Sequence, residues 1–64
     1  MPTTKYEIIK KENGTVVETH YSVSKLAFAS KHYSNDIYYV KETNLLNLEY
    51  KTYSLWRAYA NRYC

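Results

Sequence analysis

The sequence has few of the residues that staple or shape small domains. Its 64 residues include one cysteine, Cys64, one glycine and one proline. A single cysteine excludes an intrachain disulfide, and together with His20 and His32 it gives no pair of ligands at zinc spacing. One glycine excludes a glycine-rich phosphate loop, and no nucleophile–base or carboxylate pair stands out. We therefore expect no metal, no cofactor and no enzymatic activity.

Long hydrophobic runs are also missing, since no stretch approaches the ~18 apolar residues that a membrane span needs. Residues 1–5 lead into a charged strand pattern rather than the apolar core of a signal peptide. We expect no membrane association and a cytoplasmic location.

Tyrosine is the residue that the sequence has in excess, with nine copies against one Phe and one Trp. Hydrophobic residues make up 45% of the chain, which is too apolar for a disordered tail. The length predicts one domain, residues 1–64, and a domain of this size buries only roughly 60% of its unfolded surface. The chain must therefore depend on an aromatic core, on self-association or on a partner.

The first third of the chain predicts a β-hairpin. Residues 5–11 read as a strand with Tyr6 and Ile8 on one face, and residues 15–23 as the returning strand. Between them, Asn13-Gly14 favours a type I′ turn, which requires positive φ at both residues. In the returning strand, alternation places Val16, Glu18 and His20 on the same face.

A short helix is predicted next, over residues 25–33, with Ser22 or Ser24 as its cap. One side of this helix carries four residues that suit a core, namely Leu26, Ala29, Ser30 and Tyr33. A helix of this length is unstable alone, so we expect it to dock on the sheet.

Two more strands are expected, the first over residues 37–41 and followed by a turn at residues 42–44. Leu46, Leu48 and Tyr50 then alternate with polar residues, which indicates a fourth strand. A helix from Asn44 is the alternative, but it would place Glu49 and Thr52 in the apolar stripe. We prefer the strand.

A C-terminal helix capped by Ser54 is predicted, because aromatic residues and Ala60 recur at helical spacing. We interpret the stripe that begins at Trp56 as the core face of this helix, with partner contact as the alternative. The element order is ββαββα, which predicts an α+β fold with helices on an antiparallel sheet in two layers.

Eleven aromatic rings exceed what so small an interior can bury, and an exposed apolar patch marks an interaction site. Tyr38 and Tyr39 are adjacent in a strand, so at least one must lie on a second face of the sheet. These features predict a protein-binding module, whose partner is a host protein or a second copy. The candidate partner-binding residues are Tyr38, Tyr39, His20, Val16, Trp56, Arg57 and Arg62.

Nucleic-acid binding is the second hypothesis, because nine Lys and Arg oppose six Asp and Glu and give a net charge of +3. Proteins that bind single strands combine a positive groove with aromatic platforms. The candidate residues for this alternative are Lys10, Lys11, Lys41, Lys51, Tyr6 and Tyr21.

The arrangement of residues 5–41, a hairpin followed by a serine-led helix and an Ile-Tyr-Tyr-Val strand, resembles the short hairpin–helix–strand proteins encoded by tailed phages. The abundance of Lys, Asn and Tyr suggests the AT-rich genome that many such phages have. The resemblance implies a small host-takeover factor that binds one host protein and inhibits or redirects it. It assigns no functional residue.

Overall fold

The computed structural model describes residues 2–58 and shows an α+β protein built on a four-stranded antiparallel sheet. The elements are β1 (Thr4–Lys10), β2 (Val16–His20), α1 (Val23–Ser30), β3 (Tyr38–Asn44) and β4 (Tyr50–Tyr53). The sheet order is β2-β1-β3-β4, so α1 connects two strands that flank β1. Residues 55–58 are helical, and the rest of the predicted C-terminal helix lies outside the described residues.

The core lies between α1 and one face of the sheet. Tyr6 and Ile8 share that face, as predicted, and Val40 of β3 pairs with Ile8. The face of α1 that carries Leu26 and Ala29 packs on these three sheet residues, which confirms the predicted apolar side of the helix. The opposite sheet face, here called the open face, has no helix packed on it within residues 2–58.

The helix begins and ends earlier than the sequence predicts. Ser22 occupies the N-cap position of α1, but its side chain makes no capping hydrogen bond. Tyr33 follows the helix and packs against the core from the connection to β3.

The two hairpins have loops of the same length and hydrogen-bond pattern, four residues each, although the sequence suggests a different connection for each hairpin. In the first, the Lys10 N–H donates to Thr15 O and the Gly14 N–H donates to Lys10 O, both at 2.9 Å. In the second, the Asn44 N–H donates to Glu49 O at 2.8 Å and the Leu48 N–H to Asn44 O at 2.7 Å.

The fourth residue of each loop adopts a left-handed backbone, with φ 72° at Gly14 and 63° at Leu48. Asn13 has no positive φ, so the predicted type I′ turn is wrong. Instead, the Asn13 side chain accepts a hydrogen bond from the Thr15 N–H at 3.0 Å, which stabilises the longer loop.

The second hairpin corrects two predictions. Residues 42–44 belong to β3 rather than to a turn, and residues 45–48 form the loop rather than a strand. Asn44 Oδ1 accepts from the Leu46 N–H at 2.8 Å and Asn47 Oδ1 accepts from the Glu49 N–H at 2.9 Å. These local bonds compete with strand pairing and override the alternation of leucines.

The C-terminal helical residues also face the core with a different side from the predicted one. Ser54 Oγ accepts a hydrogen bond from the Arg57 N–H at 3.2 Å, which confirms the predicted cap. Leu55 and Ala58 are buried in the core, whereas the side chain of Trp56 is 68% exposed. The preferred interpretation of Trp56 as a core residue is therefore wrong.

Candidate interaction surfaces

Tyr38 and Tyr39 lie on opposite faces of the sheet, as the period of a strand requires. Tyr38 packs on the core, where its ring meets Tyr33 edge-on with centroids 4.9 Å apart. Tyr39 pairs with Ile9, which is outside the core cluster, and so lies on the open face. The prediction that one tyrosine of the pair lies on a second face is confirmed.

An apolar row crosses one end of the open face. Val16, Ile9 and Tyr39 stand side by side on β2, β1 and β3. Ile9 is buried by its neighbours, while Val16 keeps 44% of its surface exposed. Toward the other end the face becomes polar, and Lys41 Nζ lies 4.5 Å from the centroid of the Tyr50 ring.

A β-bulge separates Val16 from His20. The pairing of Ile8 with Glu18 is followed by Ile9 with Val16, so Val17 is the extra residue. His20 pairs with Tyr6 and therefore lies on the side of the sheet that α1 covers. The structure thus brings Val16 and Tyr39 together but places His20 on the other face.

Among the described residues, the most exposed large apolar side chains lie in the second hairpin loop, residues 45–48, here called the leucine loop. Leu46 is 81% exposed and Leu48 73%. The sequence analysis missed this site because the leucines mimic a strand. The sequence feature that indicates a loop here is Asn47. It precedes a residue with left-handed backbone, just as Asn13 does in the first hairpin.

On the α1 side, a hydrogen-bonded group ties the edge strand β2 to the segment after α1. The Tyr33 hydroxyl donates to Glu18 Oε2, and His20 Nε2 lies 2.7 Å from Glu18 Oε1. The Tyr33 hydrogen bond, with His20 as a further contributor, holds the pKa of Glu18 below its ordinary value. The same bond to Glu18 raises the pKa of Tyr33.

A second such group lies at the β3–β4 side. The Tyr53 hydroxyl donates to Glu42 Oε1 at 2.8 Å, and Lys51 Nζ lies 3.7 Å from Glu42 Oε2. Burial, followed by the bond to Glu42, raises the pKa of Tyr53 far above that of a free tyrosine. Burial likewise raises the pKa of Tyr6, whose ring is in the core and offers no platform to a base.

The other residues of the nucleic-acid hypothesis are spread over several surfaces. Lys10 Nζ lies 3.7 Å from Glu12, and Lys11 Nζ donates to Asn35 O at 3.0 Å. Lys41 is on the open face, Lys51 is on the α1 side, and Tyr21 is exposed between β2 and α1. These residues form no common surface.

A groove of about 410 Å³ runs between β2 and α1, and it is lined by Lys25 and Phe28 of α1 and by His32 of the turn that follows. A smaller depression of about 240 Å³ lies beside Trp56 and Lys31. Within residues 2–58, no three His, Cys, Asp or Glu side chains are placed to hold a metal ion. No helix in that range is long and apolar enough to cross a membrane.

No family model, no curated protein and no solved structure matches this chain. The class that the fold defines is a small α+β domain in which one sheet face carries no helix from the described part of the chain.

Proposed function

We propose that this chain is a non-enzymatic protein-binding module whose leucine loop inserts into an apolar cleft of a partner protein. The predicted ββαββα arrangement in two layers supports this proposal, because helices on one face alone leave the sheet and its loops free for a partner. Following the resemblance to short phage proteins, the partner is a host protein in the host cytoplasm, which the chain inhibits or redirects.

The observation that carries the proposal is the contrast between the two matched loops. The first loop has Glu12 and Gly14 where the second has Leu46 and Leu48. A leucine in left-handed backbone costs about 1–2 kcal/mol, and the chain avoids that cost at Gly14. Strain and exposed apolar surface together at one loop are typical of a binding site.

The open face supplies a second contact. Val16 and Tyr39, on either side of the buried Ile9, provide apolar surface that no helix within residues 2–58 covers. Tyrosine is enriched at interface hot spots because it combines a large ring with a polar tip. We expect Tyr39→Ser to weaken partner binding without unfolding the chain.

The test replaces the two leucines of the leucine loop by the residues found at the equivalent positions of the first loop. The Leu46→Glu/Leu48→Gly double variant keeps the backbone that residues 11–14 already adopt, so the fold should persist. We expect a host protein that the wild-type chain captures in stoichiometric amount from lysate to bind the double variant at least about tenfold more weakly. Titration of the purified partner by calorimetry measures the change.

Glu12→Gln is the matched control, since Glu12 occupies the position equivalent to Leu46 and its side chain is 79% exposed. It should leave partner affinity unchanged. Equal capture by wild type and the double variant would exclude the leucine loop as the contact. A strictly monomeric wild type in light scattering that captures no stoichiometric partner would reject protein binding altogether.

A further inference from the structure

Three of the five lysine and arginine side chains that form no ion pair within residues 2–58 lie on the α1 side of the molecule. Three lysines are paired with carboxylates at 3.7–3.8 Å, namely Lys5, Lys10 and Lys51. Lys25, Lys31 and Arg57 form no ion pair within residues 2–58. All three lie on α1, on the turn after it, or on the helical residues 55–58.

Two exposed aromatic rings lie among these cations. Phe28 is 58% exposed and Trp56 is 68% exposed. Lys31 connects them, because its Nζ lies 4.7 Å from the Phe28 centroid and its side chain lines the depression beside Trp56. His32 meets the Phe28 ring edge-on with centroids 5.7 Å apart.

The groove beside Phe28 adds depth to this surface. Lys25 and His32 line it together with Phe28, and Glu18 is the one carboxylate that lines it among residues 2–58. Glu18 is already hydrogen-bonded to the Tyr33 hydroxyl and to His20, so both of its carboxylate oxygens have partners within the protein. The groove therefore offers cations and an apolar ring to a ligand.

We infer that single-stranded nucleic acid binds this helix-layer surface, defined by Lys25, Phe28, Lys31, His32, Trp56 and Arg57. Unpaired cations between exposed rings match a chain that alternates phosphates with bases, because the phosphates pair with the cations while the bases stack. An acidic peptide would satisfy the cations but leave both rings exposed. This surface lies across the sheet from the open face and is independent of the proposed protein contact.

The test is fluorescence anisotropy of a labelled oligothymidylate of about 12 nucleotides, with the full chain at low salt. Trp56 is the one tryptophan, so its intrinsic emission reports stacking directly. We expect quenching on binding, and an affinity that falls with salt with a logarithmic slope of about −2 for three phosphate contacts. Absence of binding at low salt would overturn the inference.

Variants separate stacking from charge. Phe28→Ala and Trp56→Ala should each weaken binding about tenfold, and Lys31→Gln should reduce the salt slope by about 0.7. Lys51→Gln is the charge-matched control, because Lys51 of β4 is paired with Glu42 of β3, and it should change neither quantity. Circular dichroism verifies that each variant is folded.

Two results would contradict the inference. If the Phe28 and Trp56 variants bind like Lys51→Gln, the rings do not contact bases. If a polyglutamate peptide quenches Trp56 as strongly as the oligonucleotide does, the surface recognises acidic polymers in general. Retained protein-partner binding by these variants would keep the two proposals separate.

Discussion

At the scale of single residues, Leu48 is a leucine at a loop position where glycine would be more stable. Its backbone is left-handed, with φ 63°, in a loop whose counterpart uses glycine. The side chain is exposed, so its packing within residues 2–58 contributes little free energy to offset the backbone strain. The residue type at this position is therefore better explained by a contact outside the chain than by stability.

Leu48→Gly should make the protein more stable. Glycine adopts left-handed backbone without the steric clash that a Cβ causes, and this gain exceeds the greater entropy of glycine in the unfolded chain. We expect the free energy of unfolding to rise by about 1 kcal/mol. The midpoint of urea denaturation measures the change.

The converse substitution is the control. Gly14→Ala places a Cβ on a residue with φ 72°. Apart from the two adjacent residues, no heavy atom lies within 4 Å of that Cβ, so backbone strain alone should lower stability by about 1 kcal/mol. If Leu48→Gly destabilises the protein instead, the leucine contributes packing that the structure does not show.

At the scale of elements, residues 55–58 show that helical spacing of apolar residues predicts a helix but does not by itself predict which side of that helix faces the core. The stripe through Trp56 predicts one face, but the neighbouring stripe of Leu55 and Ala58 is the one that meets the core. A leucine fits in the small core that also contains Val40 and Ile8, whereas an indole at that position would exceed the space.

Leu55→Ala should destabilise the protein by about 2–5 kcal/mol, because it leaves a cavity in the core. A domain this small has only about 3–5 kcal/mol of stability, so the variant should be largely unfolded at room temperature. Circular dichroism during thermal denaturation measures the loss.

Trp56→Ala is the neighbour that tests the phase of the helix. An exposed side chain removed from the surface should change stability by no more than about 0.5 kcal/mol. A large loss in Trp56→Ala with little loss in Leu55→Ala would show that the core faces the other stripe.

At the scale of the whole molecule, Glu18 joins parts that are far apart in sequence. It lies on the edge strand β2 and accepts the hydroxyl of Tyr33, fifteen residues later, from the segment that leads into β3. The folded state holds the pKa of Glu18 below its ordinary value of 4.5, mainly through that hydrogen bond. Its ionised form therefore contributes stability that is fully present above pH ~4.5 and is lost as the pH falls through the folded pKa.

Glu18→Gln should remove this acid-dependent contribution. Because Glu18 is partly exposed, we expect a loss of about 1 kcal/mol at pH 7 and no difference from wild type at low pH. Urea denaturation at a series of pH values measures both. Glu12→Gln, which changes an exposed carboxylate, should give a pH profile parallel to that of wild type; a parallel profile for Glu18→Gln would show that Glu18 does not act as described.

The parts of the fold that follow local rules could be predicted from the sequence. Asn13-Gly14 between two apolar strands indicates a hairpin, and Leu26 and Ala29 at helical spacing indicate the buried side of α1. The leucine loop was predicted wrongly, because alternation at Leu46 and Leu48 resembles a strand. Only the asparagine hydrogen bonds decide against that interpretation.

The sequence by itself therefore determined the α+β class, the hairpin, the core face of β1 and the splitting of Tyr38 from Tyr39, since each depends on the period of one element. The tertiary structure decided which residues meet. The bulge at Val17 separates Val16 from His20, and packing selects Leu55 over Trp56 for the core. Register and helix phase depend on contacts between distant segments, and no local pattern records those contacts.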